Sequence, residues 1–82
     1  MIRIKVRFFG SAKSLAGGEF ALLDLDVPSI SSLEAALAAR FGGGMETLLK
    51  FSKFARGSDL LQGDSILADG DEVVVLPPVS GG

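Results

Sequence analysis

Near the end of the chain, Glu72-Val73-Val74-Val75-Leu76 runs almost unbroken by polar residues between an Asp69-Gly70 turn and Pro77-Pro78. A β-branched run of this kind favours a strand, and its lack of alternation is typical of a central strand covered on both faces. The two prolines end it, because they have no N–H to offer a ladder. A central strand needs neighbours, and the strongest other strand signal lies at the opposite end of the chain. In residues 2–9, Ile2, Ile4, Val6 and Phe8 alternate with Arg3, Lys5, Arg7 and Phe9, the period of a strand with one apolar face.

The segments between supply a hairpin partner and a helix. Residues 19–27 put Ala21, Leu23, Leu25 and Val27 on one face and Phe20, Leu22, Asp24 and Asp26 on the other, and Pro28 stops them. The connection at residues 10–18 is expected to hold a short helical turn around residues 12–16, and the first two strands to pair as an antiparallel hairpin. Ser31-Ser32-Leu33-Glu34 reads as a capping box, with the Ser31 hydroxyl accepting from the Glu34 N–H. Leu33, Ala36, Leu37 and Phe41 follow at helical spacing as a core face, and Gly42-Gly43-Gly44 ends the helix. Met45, Leu48 and Leu49 suit a second, short helix, while residues 51–56 alternate like an edge strand. Gly57-Ser58 and Gly63-Asp64 are turn signals that bracket a short segment at residues 59–62.

Two strands, a helix, short strands and a final buried strand make an α+β fold. If the last strand lies beside the first and parallel to it, the helix serves as the covered crossover. The result is a β-grasp: a mixed sheet of four to five strands with one main helix packed across it. Eighty-two residues hold one such domain, expected over residues 1–78, with residues 79–82 as a flexible tail. A composition 48% apolar and 22% charged provides for a packed core. The net charge of −2 gives no footing for nucleic acid held by bulk charge. No apolar stretch approaches the roughly 20 residues of a membrane span, and the alternating start is unlike a signal peptide. The expected location is the cytoplasm.

What is missing limits the chemistry. Without Cys or His there is no thiol nucleophile, imidazole base, Ser-His triad or ordinary zinc site. Asp69, Asp71 and Glu72 are the densest acidic cluster, but they flank an Asp-Gly turn, and further oxygen ligands would be needed to hold a metal; no metal site is assigned. Arg3, Lys5 and Arg7 read first as a solvated strand face and second as a partner or phosphate contact. Gly42-Gly43-Gly44 follows a helix and lacks a Lys-Ser/Thr continuation, so it is a helix stop and not a phosphate loop. Gly81-Gly82 is different. Two residues without side chains, after a buried strand and a rigid Pro-Pro spacer, can pass through a channel too narrow for a Cβ. The reactive group would then be the Gly82 α-carboxylate, ionised at neutral pH and a poor electrophile until a partner enzyme activates it. Taken alone, a terminal Gly-Gly also fits chance, a floppy end or a processing scar.

Residues 70–82, Gly-Asp-Glu-Val-Val-Val-Leu-Pro-Pro-Val-Ser-Gly-Gly, resemble the C-terminus of the small subunit of molybdopterin synthase. The related ubiquitin-like sulfur carriers and archaeal ubiquitin-like modifiers share the pattern. Phe8-Phe9-Gly10, Leu15-Ala16-Gly17 and Ser31-Ser32-Leu33 match the same family in order and spacing. The likeness is loose only over residues 45–66. It implies a ubiquitin-like β-grasp acting as the carrier subunit of a sulfurtransferase, with no catalytic side chains of its own and no permanently bound cofactor. A ubiquitin-activating-like adenylyltransferase would use ATP to adenylate Gly82, and a sulfur donor protein would convert it to a thiocarboxylate. Val79, Ser80, Gly81 and Gly82 would then enter the large synthase subunit and deliver sulfur for molybdenum or tungsten cofactor synthesis. The expected partner interface is Phe9, Val74, Leu76, Pro77 and Pro78. Two other readings compete: a protein modifier joined through Gly82 to target lysines, and an interaction module with an inert tail.

Overall fold

The computed structural model describes residues 1–78. The chain runs β1 (Ile2–Phe8), α1 (Gly10–Ala16), β2 (Phe20–Leu25), α2 (Ile30–Phe41), α3 (Gly43–Leu49), β3 (Lys53–Arg56), β4 (Asp59–Leu60) and β5 (Glu72–Leu76). One five-stranded sheet has the order β2-β1-β5-β3-β4. β1 pairs antiparallel with β2, from Ile2↔Leu25 to Arg7↔Phe20, and parallel with β5, from Lys5↔Glu72 to Phe8↔Val75. The first and last strands therefore lie side by side at the middle of the sheet. This is the expected β-grasp.

Alternation places the core on one face. Ile4, Val6, Phe8, Ala21, Leu23, Leu25, Phe54, Val73 and Val75 are buried beneath Ile30, Leu33 and Leu37 of α2 and Met45 and Leu49 of α3. The rings of Phe8 and Phe41 meet edge to face, 5.5 Å between centroids, joining the end of β1 to the last turn of α2. The long segment after β4 is tied down at several points. Leu67 N–H donates to the Pro28 carbonyl at 2.9 Å, and Arg56 donates to the Ile66 carbonyl at 3.0 Å and to Asp71 Oδ2 at 2.8 Å.

Several expectations need correcting. The helix cap is Ser29, not Ser31: the Ser29 hydroxyl accepts from the Ser32 N–H at 3.1 Å, and the helix begins at Ile30. Starting one turn's fraction earlier lets Ile30 join Leu33 and Leu37 in the core at i, i+3, i+7 spacing. Only Gly42 ends the helix, at φ +92°, and Gly43 and Gly44 open α3. Three helices cover the sheet, of which α2 is the longest. β3 is an interior strand between β5 and β4, because the two-residue β4 takes the edge; Phe51 stays outside it and exposed. β2 stops at Leu25, so Val27 lies beyond the pleat and is exposed. β1 stops at Phe8, and the following connection is mostly α1. Finally, β5 is central but covered on one face only: Val73 and Val75 are buried, while Val74 is half-buried and Leu76 exposed.

Candidate functional site

All three helices lie on one side of the sheet, so the other side is open. Directly paired residues share a face, and the registers draw one row across all five strands: Phe20, Arg7, Val74, Ala55 and Leu60. Leu22 sits opposite Lys5 on one side of this row, and Leu76 opposite Lys53 on the other. Phe20, Leu22, Leu60 and Leu76 are all exposed, which makes this face unusually apolar for solvent.

Phe9 lies at the rim of this face. Its backbone is extended (φ −127°, ψ 157°), so the alternation of β1 carries through it and its side chain leaves on the side opposite Phe8. Phe9 is 51% exposed against 2% for Phe8. It is not tucked under α1. Because β1 and β5 run parallel, their ends share one edge of the molecule: a Cβ added at Gly10, where φ is +54°, would stand 3.4 Å from Pro77 Cγ. Phe9, Val74 and Leu76 thus lie on the open face, and Pro77 and Pro78 continue β5 at the same end of the molecule, with Pro77 half-buried and Pro78 exposed. Val79, Ser80, Gly81 and Gly82 lie outside the described residues.

Charge crosses the same face. Arg3 reaches Asp24 through two bonds, Nε at 2.9 Å and Nη2 at 3.3 Å. The hydrogen bond from Arg3 holds the Asp24 carboxyl below its ordinary range and raises Arg3 in turn. Arg7 Nε donates to Glu72 at 2.9 Å, Lys5 Nζ lies 4.0 Å from the same carboxylate, and the Lys5 ammonium sits 4.5 Å above the Phe20 ring. Asp69, Asp71 and Glu72 do not converge. Asp69 accepts from the Arg3 N–H at 2.8 Å, Asp71 from Ala68 N–H and Arg56, and Glu72 from Arg7. Among the described residues no group of three His, Cys, Asp or Glu side chains is placed to hold a metal, and no helix is long and apolar enough to cross a membrane.

Sequence reasoning missed the contributions of Ala55, Leu60 and Lys53 to this face. The alternation over residues 51–56 carried the signal for Ala55 and Lys53, but their face is defined only once β3 has a partner on each side.

The described residues present an open, partly apolar sheet face beside the end of β5. Residues 6–82 match the ThiS family. The chain is 35% identical over 81 residues to the molybdopterin synthase sulfur carrier subunit of Escherichia coli (strain K12), covering 96% of this chain and 99% of that protein. It superposes on a chain of the complex of subunits 1 and 2 of molybdopterin-converting factor from Helicobacter pylori 26695. That match has a TM-score of 0.70 and 28% identity, over 99% of this chain and 100% of the other. The small archaeal modifier protein 1 of Methanosarcina acetivorans shares the fold, with a TM-score of 0.82 at 21% identity over 100% of this chain and 98% of that one.

Proposed function

The chain belongs to the ThiS family, the ubiquitin-like sulfur carriers that include the small subunit of molybdopterin synthase, and from that premise we propose that Gly82 carries sulfur for molybdenum or tungsten cofactor synthesis. An adenylyltransferase of the ubiquitin-activating type joins the Gly82 carboxylate to the α-phosphate of ATP, releasing pyrophosphate and leaving an acyl-AMP. A sulfide equivalent from a sulfur donor protein displaces AMP and leaves a thiocarboxylate. The loaded end then enters the large synthase subunit, where sulfur passes to the pyranopterin precursor of the dithiolene. The catalytic side chains for each step belong to the partners.

One observation carries this reading: the parallel β1–β5 pair delivers Pro77-Pro78 to the rim of the open apolar face, beside Phe9. A partner seated on that face meets the chain end directly. Four residues follow Pro78, and fully extended they span at most about 14 Å. Glycine at both final positions lets a pocket close tightly around the backbone.

The test is reconstitution with the activating enzyme and sulfur donor, read by mass spectrometry of the intact protein. The expected product is an exchange of one oxygen for sulfur at Gly82. Deleting Gly82 withdraws the carboxylate by up to about 3.5 Å, where about 1 Å of misplacement already costs about a hundredfold in rate. Extending the chain by one residue buries the Gly82 carbonyl in a peptide bond. Both variants are expected to fold normally and to lose adenylation. A tail-extended protein that stays unprocessed and still supports full cofactor synthesis refutes the carrier mechanism.

The modifier reading uses the same activated carboxylate, with a lysine amine attacking in place of sulfide. It is favoured by the Pro-Pro-Val-Ser-Gly-Gly ending, a pattern shared with archaeal modifiers. Covalent conjugates that survive a denaturing gel and depend on Gly82 would support it.

A further inference from the structure

We propose that the partner surface covering the open sheet face is an apolar patch flanked by carboxylates, so that docking is electrostatically steered although the chain as a whole is acidic. The inference rests on the carrier reading and names the chemistry of its docking partner, the large synthase subunit. Six charged side chains share the face: Arg3, Lys5, Arg7 and Lys53 against Asp24 and Glu72, an excess of two positive charges. Of the other four basic and eight acidic residues, Asp69 lies at the rim beside Arg3, and the remaining seven carboxylates against four cations leave the rest of the molecule negative, so this face stands out against it.

The excess has definite positions. Arg3 and Asp24 satisfy one another through two bonds. Glu72 is shared: Arg7 takes it at 2.9 Å, and Lys5 stands off at 4.0 Å, held over the Phe20 ring. Lys53 forms no ion pair among the described residues. Lys5 and Lys53 lie on opposite sides of the row formed by Phe20, Val74 and Leu60. A partner that buries this row without anions would strip water from two cations and leave them uncompensated, a costly arrangement. Carboxylates on both sides of its own apolar patch remove that cost and attract the face at long range.

The experiment is stopped-flow association with the large molybdopterin synthase subunit of the same organism, from 50 mM to 500 mM salt. The expected association rate falls about tenfold over that range. Lys5→Gln and Lys53→Gln should each slow association about threefold and flatten the salt dependence, with dissociation nearly unchanged. Lys5→Arg should restore the rate, and Lys50→Gln, on the helical side, should leave it alone. Salt-independent association, or glutamine variants that bind faster, overturns the inference. Leu76→Ser separates the two levels. If it weakens binding while salt and the lysine variants do nothing, the face docks but is not steered. If the unaltered protein fails to bind the large subunit at all, the carrier reading falls with the inference.

Discussion

Phe8 and Phe9 are identical in chemistry and adjacent in sequence, yet the pleat sends one into the core and the other to solvent. Their alanine variants should therefore fail differently. Phe8→Ala removes the edge-to-face contact with Phe41 and leaves a cavity, at a cost of about 3–5 kcal/mol; much of the domain's stability would go with it. Phe9→Ala should barely move the melting temperature but weaken binding to the large subunit, measured by calorimetric titration. A Phe9 variant with unchanged affinity removes Phe9 from the docking face. Asp71 makes a second prediction at this scale. Burial works to raise its pKa, but the Ala68 N–H and Arg56 bonds outweigh that and hold the carboxyl below its ordinary range. The folded state thus gains stability from ionised Asp71 at pH values above the unfolded pKa of about 3.9, and loses it as pH falls through the lower folded value. Asp71→Asn should cost about 1 kcal/mol at pH 7, with the gap to wild type closing in acid denaturation profiles below about pH 4.

The start and end of α2 are where local rules and packing disagree. Ser31 with Glu34 has the form of a capping box, yet Ser29 caps the helix because that register buries Ile30. Local hydrogen-bond chemistry identified a helix start to within two residues; the core chose which serine. Ser29→Ala should then cost about 1 kcal/mol in chemical denaturation, and Ser31→Ala much less. The glycine triplet divides in the same way. Gly42 needs its φ of +92° to break α2 from α3, whereas Gly43 has a helical role and open space around its missing Cβ. Gly42→Ala is expected to destabilise by about 1 kcal/mol or more, and Gly43→Ala to stabilise by about 0.5 kcal/mol, since alanine is the better helix former. The outer elements were legible for a plain reason: β1, β2 and β5 carry strong period-two or β-branched patterns, and α2 a clear apolar stripe. Residues 45–66 were not, because β3 and β4 are four and two residues long. Segments so short take their pairing from neighbours and not from their own pattern.

At the scale of the molecule, one sheet face is packed and the other is open, and this asymmetry ties stability to partnership. The apolar alternation of β1 announced a buried face, and Val74 and Leu76, expected at a partner interface, lie on the opposite one. The near-continuous run of β5 still suggested cover on both sides, and for the intact carrier that cover is proposed to come from another protein. A ligand that binds only the folded state stabilises it by mass action, about 2.7 kcal/mol at a hundred times the dissociation constant. For a domain of this size that corresponds to a rise in melting temperature of about 10–20 °C, measurable by scanning calorimetry with and without the large subunit. Absence of any rise at saturating partner would contradict docking to the native fold. The β1–β5 pairing also sets a schedule. A growing polypeptide makes β1 well before β5, so the centre of the sheet stays empty until synthesis has passed Leu76. Contacts so distant along the chain form late and slowly. A fragment cut short before Glu72 lacks the strand between β1 and β3 and, with it, the buried Val73 and Val75. Any enzyme that recognises the folded sheet therefore acts only on chains whose synthesis has passed β5.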